Sequence, residues 1–504
     1  MIWLVARREV VDHLRSVRFL ALCALTVLLL PLSAWVNAEG WRARRAFSDA
    51  IAQAREAKLA AAQAARSAGA GADMPGVAWG WRSGEVATDE ALRAVRPPVP
   101  LSVLALGADA RLPAYWQFGS EGAAAGPPLA GDDAAGQLEG ADFTFVVQVV
   151  LGLLAVLLGA DAISGEAESG MLRVVLANPV PRAHVLAGKY VGALLTLLVP
   201  LALGVPPALL VLRARGVPLG AAADWPRVLA FAAAAVLYLS CMLALALAVS
   251  ARTHRARTAL VVLLVAWVLV VLVVPRVGEI LAAGLRPVPP AELVHRARVA
   301  TSASLEAERA VALGDVWRRV AGSDDVPDGA FPPALKRAYN AARLPLEEEL
   351  FRRKRASFAA LEDRRERAAR RQRTLAGRVA RLSPAAAFAS LAADLAGTGE
   401  RTGHRWRAQV RAHQQSLERV AFDRVYGVEL FDARRDRLRV TWGPDPFDPA
   451  DTPPAYADLP SFAYVAEPPR EALVAALPGV LYLVGCNVVL LAAAVAAFAR
   501  YEVR

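Results

Sequence analysis

Apolar residues in this chain are gathered into six blocks about as long as a bilayer is thick, and charged stretches separate the blocks. The first two blocks lie near the lower length limit for spanning, and three prolines in the third predict a kink or a tilt. We therefore predict an all-α polytopic membrane protein with six transmembrane helices. The predicted spans are 19–36, 143–160, 185–212 (with Pro200, Pro206 and Pro207), 228–250, 258–275 and 473–498.

Arginines near the ends of the blocks predict the orientation, because cytoplasmic loops are enriched in Lys and Arg. Those before the first block put the N-terminus in the cytoplasm, and six crossings return the C-terminus to the same side. One loop disagrees, since it would place Arg213, Arg215 and Arg227 outside. The arginines expected inside are Arg7, Arg8, Arg15, Arg18, Arg173, Arg182, Arg252, Arg255, Arg257, Arg500 and Arg504.

Residues 1–36 also admit a second interpretation, a cleaved signal peptide with a processing site at 36–38. The region before the span is long and contains Glu9 and Asp12, which argues against cleavage. The topology downstream is the same in either case.

The orientation divides the chain into cytoplasmic and extracytoplasmic parts. The first extracytoplasmic part begins with an Ala-rich helical stretch and continues into a loop around Ala123–Gly131. The second is long enough for a small, mostly helical domain. The cytoplasmic parts are an interfacial helix at 1–18, a loop at 161–184 between the four spans of 143–275, and a tail at 499–504; the extracytoplasmic parts are 37–142 and 276–472.

Helical patterns dominate 276–472. One apolar stripe marks a face of a long amphipathic helix, which predicts packing against a neighbouring helix rather than a ligand site. A second helix follows Ser383-Pro384 and ends at 397–399. The Pro- and Asp-rich stretch 443–469 predicts an extended linker. The stripe consists of Phe351, Phe358, Leu361, Ala368, Leu375, Val379 and Leu382.

The net charge of +11 raises the question of nucleic-acid binding. Much of the excess lies in the Arg-rich stretch 352–381, which fits a solvated helix, and no nucleic-acid-binding fold accompanies it. We therefore expect no nucleic-acid partner. Cys23, Cys241 and Cys486 all lie inside apolar blocks, which excludes a disulfide framework.

Motifs for catalysis are missing. Gly188-Lys189 is followed by Tyr190 and lacks the upstream glycine of a P-loop, and neither a zinc-binding H-E-x-x-H nor a G-x-S-x-G elbow occurs. We predict no catalytic residue and no metal site. The spans hold almost no ionisable residue, only Asp161 near an end, which disfavours a secondary transporter driven by protons or sodium.

The loop after the second span suggests a docking element. Glu166 and Glu168 stand where a short helix would begin, Leu172, Val175 and Leu176 would form its apolar face, and Pro179 would end it. Such a helix either docks into a groove of a cytoplasmic partner or lies on the membrane surface. The residues alone leave both open.

This loop resembles the ABC transporter permeases of the type-2 export class, in which a D-x-x-x-x-E-x-E-x-G-[small]-L motif precedes Pro, Arg and Gly-Lys. Met171 departs from the small residue of that motif. The resemblance implies that the loop contacts a separate ATPase subunit, which holds ATP and Mg, while this chain binds no cofactor. The matching positions are Asp161, Glu166, Glu168, Gly170, Leu172, Pro179, Arg182, Gly188 and Lys189.

The N-terminus is similar to the interfacial helix with which these permeases begin. The residues assigned to this helix by the resemblance are Trp3, Arg7, Arg8 and Glu9. The resemblance implies that Arg7 and Glu9 also face the ATPase. The insertion, from Leu382 to Thr398, resembles a bacterial subgroup related to multicopper-enzyme maturation permeases.

Together these features predict the permease subunit of an ABC exporter in the bacterial inner membrane, paired with a second copy or a related half. The long helical insertion motivates an alternative, an ATPase-driven mechanical or assembly protein of the envelope. A sensor is disfavoured because no cytoplasmic signalling domain follows the spans. The substrate is not encoded in any recognisable motif.

Overall fold

The computed structural model describes residues 2–67, 93–119, 122–127, 141–177, 181–219, 224–323, 332–421 and 460–501. Its described part is almost entirely helical, and six helices are long and apolar enough to cross a membrane. Each predicted span lies within one of these six, which confirms the predicted fold class. The helices are α1 (Ile2–Leu14), α2 (Val17–Ser67), α3 (143–160), α4 (Ser164–Glu168), α5 (Met171–Leu176), α6 (Arg182–Ala214), α7 (Trp225–Ser250), α8 (Ala256–Leu285), α9 (Ala291–Ala321), α10 (Pro333–Ala380), α11 (Pro384–Ala396), α12 (Glu400–Ala421) and α13 (Pro469–Ala499).

Helix α2 is longer than the first predicted span. It joins that span to the Ala-rich stretch in one helix of 51 residues. Val36, Asn37 and Ala38, the alternative processing site, are all buried within it. Asn37 also donates a hydrogen bond to the Ser33 carbonyl (2.9 Å), so this segment is packed as part of the folded protein.

The third span, α6, continues through Pro200, Pro206 and Pro207 without a break in the helix. Prolines are tolerated in membrane helices where neighbouring groups satisfy the freed carbonyls. Close packing accompanies them, because a Cβ added at Gly204 would lie 2.8 Å from Leu30 of α2.

Helix α7 is the centre of the bundle, since it packs against α3, α6, α11 and α13. Tyr238 is fully buried at its middle, where the hydroxyl donates to the Gln148 carbonyl (2.9 Å) and the ring stacks on Phe388 of α11 at 5.0 Å. Gly152 of α3 provides the space, because a Cβ there would lie 2.8 Å from the Tyr238 hydroxyl.

The insertion between the last two spans forms a helical hairpin. Helix α8 extends past the predicted end of the fifth span to Leu285, and α9 and α10 then run against each other. Ion pairs between described side chains join these two helices: Arg298–Glu362 (3.3 Å), Arg309–Glu347 (2.7 Å) and Arg353–Glu308 (2.6 Å). The end of α10 returns to α8, where Gly278 meets the backbone of Ala376 and Ala380.

The apolar stripe predicted along α10 lies inward for most of its length. Phe358 is buried, whereas Leu361, Ala368, Leu375 and Val379 are half-buried. The prediction was wrong at its end, because Leu382 is 73% exposed beyond the last residue of α10. The Phe351 side chain lies outside the described part.

The segment between the first two spans contains a small sheet that was not predicted from the sequence. Its antiparallel strands are β1 (Ala94–Val95), β2 (Tyr115–Gly119) and β3 (Gly122–Ala125). Strand β3 replaces the first part of the loop expected at Ala123–Gly131, whose residues 128–131 lie outside the described part. The sheet and α12 share a second core in which Phe118, Trp406 and Phe462 are buried.

The segment before the last span is described only from residue 460, so most of the linker predicted at 443–469 lies outside the described part. Residues 460–468 form no helix or strand, and α13 begins at Pro469. Gln409 of α12 ties this segment down by exchanging two hydrogen bonds with the backbone of Val465, each 2.9 Å long.

Two of the three arginines that disagreed with the orientation rule contact other groups at their end of the bundle, whereas Arg213 is exposed. Arg215 pairs with Glu39 and lies over the Trp35 ring. Arg227 is buried and donates from Nε to the Leu395 carbonyl at 2.8 Å. Contacts with other segments hold Arg215 and Arg227 in place, and the positive-inside rule, which counts charges in loops, takes no account of such contacts.

Candidate functional site: the α1–loop junction

Four segments meet at the end of the bundle where α1 lies, and we call this region the α1–loop junction: α1, the loop 161–177, the turn 251–255 and the end of α13. Ser250 fixes the loop, because its hydroxyl accepts from the backbone N–H groups of Ile163 (3.2 Å) and Ser164 (3.1 Å). Glu168 accepts from the N–H of Ala256 (3.1 Å), which ties the loop to the start of α8.

The loop itself forms two short helices rather than the single predicted one. Helix α4 ends at Glu168 and α5 begins at Met171, and between them lies Gly170, whose φ of +74° is strained for any residue with a side chain. Pro179, the expected helix end, lies outside the described part. The glycine of the motif therefore allows a sharp change of direction between α4 and α5.

A buried ion-paired group joins α1, the loop and α6. The Lys189 side chain is 3% exposed, and its Nζ pairs with Glu166 at 2.8 Å and with Glu9. His13 of α1 lies beside Glu9 (Nε2 to Oε2, 3.5 Å), and burial lowers the pKa of this histidine despite the carboxylate. One lysine thus pairs with carboxylates from two other segments, and we call Glu9, Glu166 and Lys189 the charge triad.

Two glycines bring α1 into close contact with α6. A Cβ at Gly188 would lie 2.7 Å from the Val5 side chain, and one at Gly192 would lie 2.7 Å from the Ala6 carbonyl oxygen. Gly192 belongs to none of the motifs found in the sequence. The available signal was the spacing of small residues by four within an apolar block, which lets helix backbones approach closely.

The surface of α5 differs from the predicted one. Leu172, assigned to the docking face, is fully buried in the main core, whereas Met171 and Val174 are 41% and 63% exposed. The side chain of Leu176 lies outside the described part. Because Leu172 anchors the short helix in the core, the exposed apolar residues lie on the opposite side of the helix.

The last helix is also tied to the junction. Arg182, the first residue of α6, donates from Nη1 to the carbonyls of Phe498 (3.2 Å), Ala499 (3.0 Å) and Tyr501 (2.9 Å). Cations at a helix C-terminus satisfy carbonyls that have no partner within the helix. The Tyr501 hydroxyl in turn donates to the Thr253 carbonyl at 3.2 Å.

Comparison with known families decides the identity of this bundle. A family model described as ABC-2 family transporter protein matches residues 3–503. The chain belongs to this family. The ABC-2 protein is therefore a multi-pass membrane permease component of an ABC transporter, a subunit type that is typically non-catalytic and that implies an ATPase partner. No curated protein matches the chain.

The motif residues of the ABC-2 permease come together at the junction but have different surroundings. Asp161 pairs with Arg18 (3.0 Å), and Glu166 and Lys189 belong to the charge triad. Glu168 is exposed. Trp3, Arg7 and Arg8 lie on exposed positions of α1, whereas Glu9 points into the triad.

One expectation about ionisable residues was wrong. The spans were expected to hold almost none, yet Lys189 lies within the third span and is buried there. Its ammonium group pairs with Glu9 and Glu166, so the charge within this span is compensated by neighbouring carboxylates.

Proposed function

We propose that this ABC-2 permease couples ATP hydrolysis in a separate cytoplasmic ATPase subunit to export of a substrate across the bacterial inner membrane. The observation that favours this is α5, a short helix that exposes Met171 and Val174 while Leu172 anchors it in the bundle core. Exposed apolar residues on a helix held this way fit a groove on a partner protein.

Contacts on three sides would carry a movement of α5 into the spans. The loop is bonded to α7 through Ser250, to α8 through Glu168, and to α6 and α1 through the charge triad. ATP and Mg²⁺ stay on the partner, where closing of the ATPase dimer would push on α5. The permease responds by populating a second arrangement of its helices, as in alternating access.

The proposal includes the cytoplasmic location of the junction. Arg7, Arg8, Arg173 and Arg252 belong to it or border it, whereas the opposite end holds Arg215 and Arg227 in internal contacts. The positive-inside rule favours this orientation, with both termini in the cytoplasm.

A second permease completes the proposed transporter. The apolar windows of α8 and α13 are each only 17% buried within one chain, so both helices have wide apolar faces for lipid or for another subunit. We propose a second copy of this chain, or a related half, as the other wall of the pathway.

The docking role of α5 is tested with Met171→Glu/Val174→Glu in the complex of permease and ATPase. We expect loss of complex formation and at least a tenfold loss of permease-stimulated ATP hydrolysis, because two carboxylates would enter an apolar contact (about 1 kcal/mol or more each). The matched control is Leu293→Glu/Val299→Glu on α9, whose residues are similarly exposed but lie in the hairpin. Full ATPase stimulation by the α5 variant would exclude the docking role.

Charge reversal at Glu166 is not a test of docking, because Glu166 pairs with the buried Lys189 inside the chain. Glu168 is the exposed carboxylate of the motif. The variant Glu168→Lys therefore examines the contact surface with less disturbance of the triad, although it removes the bond to the Ala256 N–H.

One observation favours a second candidate function, a mechanical or assembly role in the envelope. The fifth span continues as one helix to Leu285 and is packed through Gly278 against α10, which is 48 residues and about 72 Å long. A movement of the span would therefore tilt the hairpin.

A shortened hairpin separates the two functions. Replacing residues 300–360 with a short Gly/Ser turn keeps the Arg298–Glu362 pair near the new junction (3.3 Å). Export that persists in this variant supports transport, with the hairpin as an accessory. Loss of the cellular function with full ATPase stimulation supports the mechanical role.

A further inference from the structure

A cluster of basic side chains lies where α10 meets α12, far in sequence from the junction. Three arginines and one histidine surround one carboxylate oxygen, Glu366 Oε1, and Asp363 pairs with a fourth arginine at 3.1 Å. We call this set the arginine cluster. Its distances to Glu366 Oε1 are 3.2 Å from Arg370 Nε, 3.2 Å from Arg373 Nη2, 3.6 Å from His404 Nδ1 and 3.8 Å from Arg407 Nη1, and its fifth member is Arg411.

The cluster has more positive than negative charge. Its four arginines face two carboxylates within the described part of the chain, so the net charge is about +2 with the histidine neutral. Burial raises the pKa of Glu366, whereas the hydrogen bond from Arg370 and the charge of Arg407 lower it. The arginines have the larger combined effect, so the pKa of Glu366 is lowered. Burial and then Arg373 lower the pKa of His404, as expected beside an excess of cations.

Donor groups in the cluster are left without acceptors. A carboxylate oxygen offers two lone pairs, which Arg370 and Arg373 use at hydrogen-bond distance. Among the residues that the structure describes, the buried Arg373 Nε and His404 Nδ1 have no hydrogen-bond partner; the imidazole donates from Nδ1 in the tautomer that carries its proton there. Buried donors of this kind are normally satisfied, so the arrangement suits an additional acceptor with several oxygens.

The cluster is open to solvent and close to the expected membrane surface. Arg370 is exposed, and Arg373 and Arg407 are partly exposed. Arg373 precedes the end of α10 by about 10 Å along the helix, and that end packs on α8 at Gly278. Helix α8 exposes apolar side chains as far as Leu285 (69%), as a lipid-facing helix does.

We propose that the arginine cluster binds a phosphate-bearing anion. Phosphate groups supply several strong acceptor oxygens and match the planar fork of the guanidinium group, which explains the preference for arginine over lysine here. The anion would place its oxygens between Arg373 and Arg407, and it would satisfy the free donors of Arg373 and His404. Either a lipid headgroup or free phosphate provides this chemistry.

The test uses the full-length permease purified in detergent at constant ionic strength, with two probes. The first is inorganic phosphate; the second is phosphatidic acid in mixed micelles, compared with diacylglycerol, which lacks only the phosphate. Binding is measured by calorimetry for wild type and for Arg373→Gln/Arg407→Gln. The control Arg352→Gln/Arg353→Gln removes the same charge from the same helix outside the cluster.

We expect the cluster variant to bind at least about tenfold more weakly than wild type, and the control to bind as wild type does. Glu366→Gln should bind more tightly than wild type, because the competing carboxylate is gone; a merely damaged fold would not produce this opposite effect. Binding of phosphatidic acid alone identifies a lipid headgroup as the source, and binding of inorganic phosphate identifies a free anion. The proposal is overturned if wild type binds neither probe, if the cluster variant binds as wild type does, or if Glu366→Gln weakens binding.

Discussion

Removal of the Lys189 charge should detach α1 from the rest of the permease. In Lys189→Met, the carboxylates of Glu9 and Glu166 remain at the junction, 12% and 20% exposed, without their common cation. Breaking a buried ion pair by removing one partner costs about 3–5 kcal/mol. Since both carboxylates retain some contact with solvent, we expect the lower value, about 3 kcal/mol.

This free energy converts into a rate that can be measured. The fully buried Ala6 on α1 is replaced by Cys in a background without the natural cysteines, and its reaction with a maleimide reports each opening of α1. A cost of about 3 kcal/mol raises the open population, and with it the labelling rate, roughly hundredfold. The control is Arg8→Gln, since the Arg8–Asp12 pair is exposed on the same helix and should change the rate only a few-fold.

Two results would refute this reasoning. One is a labelling rate in Lys189→Met less than tenfold above the parent; the other is an equal increase in Arg8→Gln. A further check is Glu166→Gln in the Lys189→Met background. It should reduce labelling relative to Lys189→Met alone, because one unpaired carboxylate is removed.

Three further outcomes follow from the packing of the described residues. Gly192→Ala should raise labelling at position 6 by about fivefold to a hundredfold, because overpacking against a backbone carbonyl costs about 1–3 kcal/mol. Arg227→Met should lower the unfolding free energy in detergent by about 2 kcal/mol, since the Leu395 carbonyl loses a charged donor. Acidification should destabilise the second core, where the ring of His413 on α12 packs against Phe118 (5.1 Å) and Phe462 (5.3 Å). Burial lowers the pKa of His413 to about 4. The unfolded state, with a histidine pKa of about 6.5, binds the proton first, so stability falls as the pH drops from about 6.5 towards 4.

Each of these predictions has a result that would contradict it. Unchanged labelling in Gly192→Ala would show that α1 and α6 are not in close contact. Arg213→Gln, at an exposed position of α6, should leave the unfolding free energy nearly unchanged, so an equal loss would deny a special role to Arg227. His413→Gln should flatten the pH dependence of unfolding, and an identical pH profile would contradict the assignment to His413.

The spans were predictable because each must satisfy a local rule. Hydrocarbon demands a run of about twenty apolar residues wherever a helix crosses, so the blocks can be found without knowledge of their neighbours. The same holds for the amphipathic stripe of α10, whose positions from Phe358 to Val379 lie inward. The sheet was missed because β1 to β3 are short and their pairing depends on packing against α12.

The junction was predictable in its location but not in its contacts. The motif indicated the loop, yet the surroundings of Glu166 depend on Lys189 and Glu9, and the latter two are 180 residues apart. Pairing over such distances leaves no local pattern. The exposed side of α5 was assigned wrongly for a related reason: apolar residues stand on both sides of this short helix, and only the position of the core shows that Leu172 points inward.

The central claim is that α5 contacts an ATPase, and site-specific photo-crosslinking in native membranes tests it most directly. A photoreactive residue is placed at Val174, and the matched control position is Val299, which is exposed to a similar extent on the hairpin. The account predicts that Val174 captures a P-loop ATPase and that Val299 does not. Capture of no ATPase at Val174, or its capture at Val299, would contradict the account.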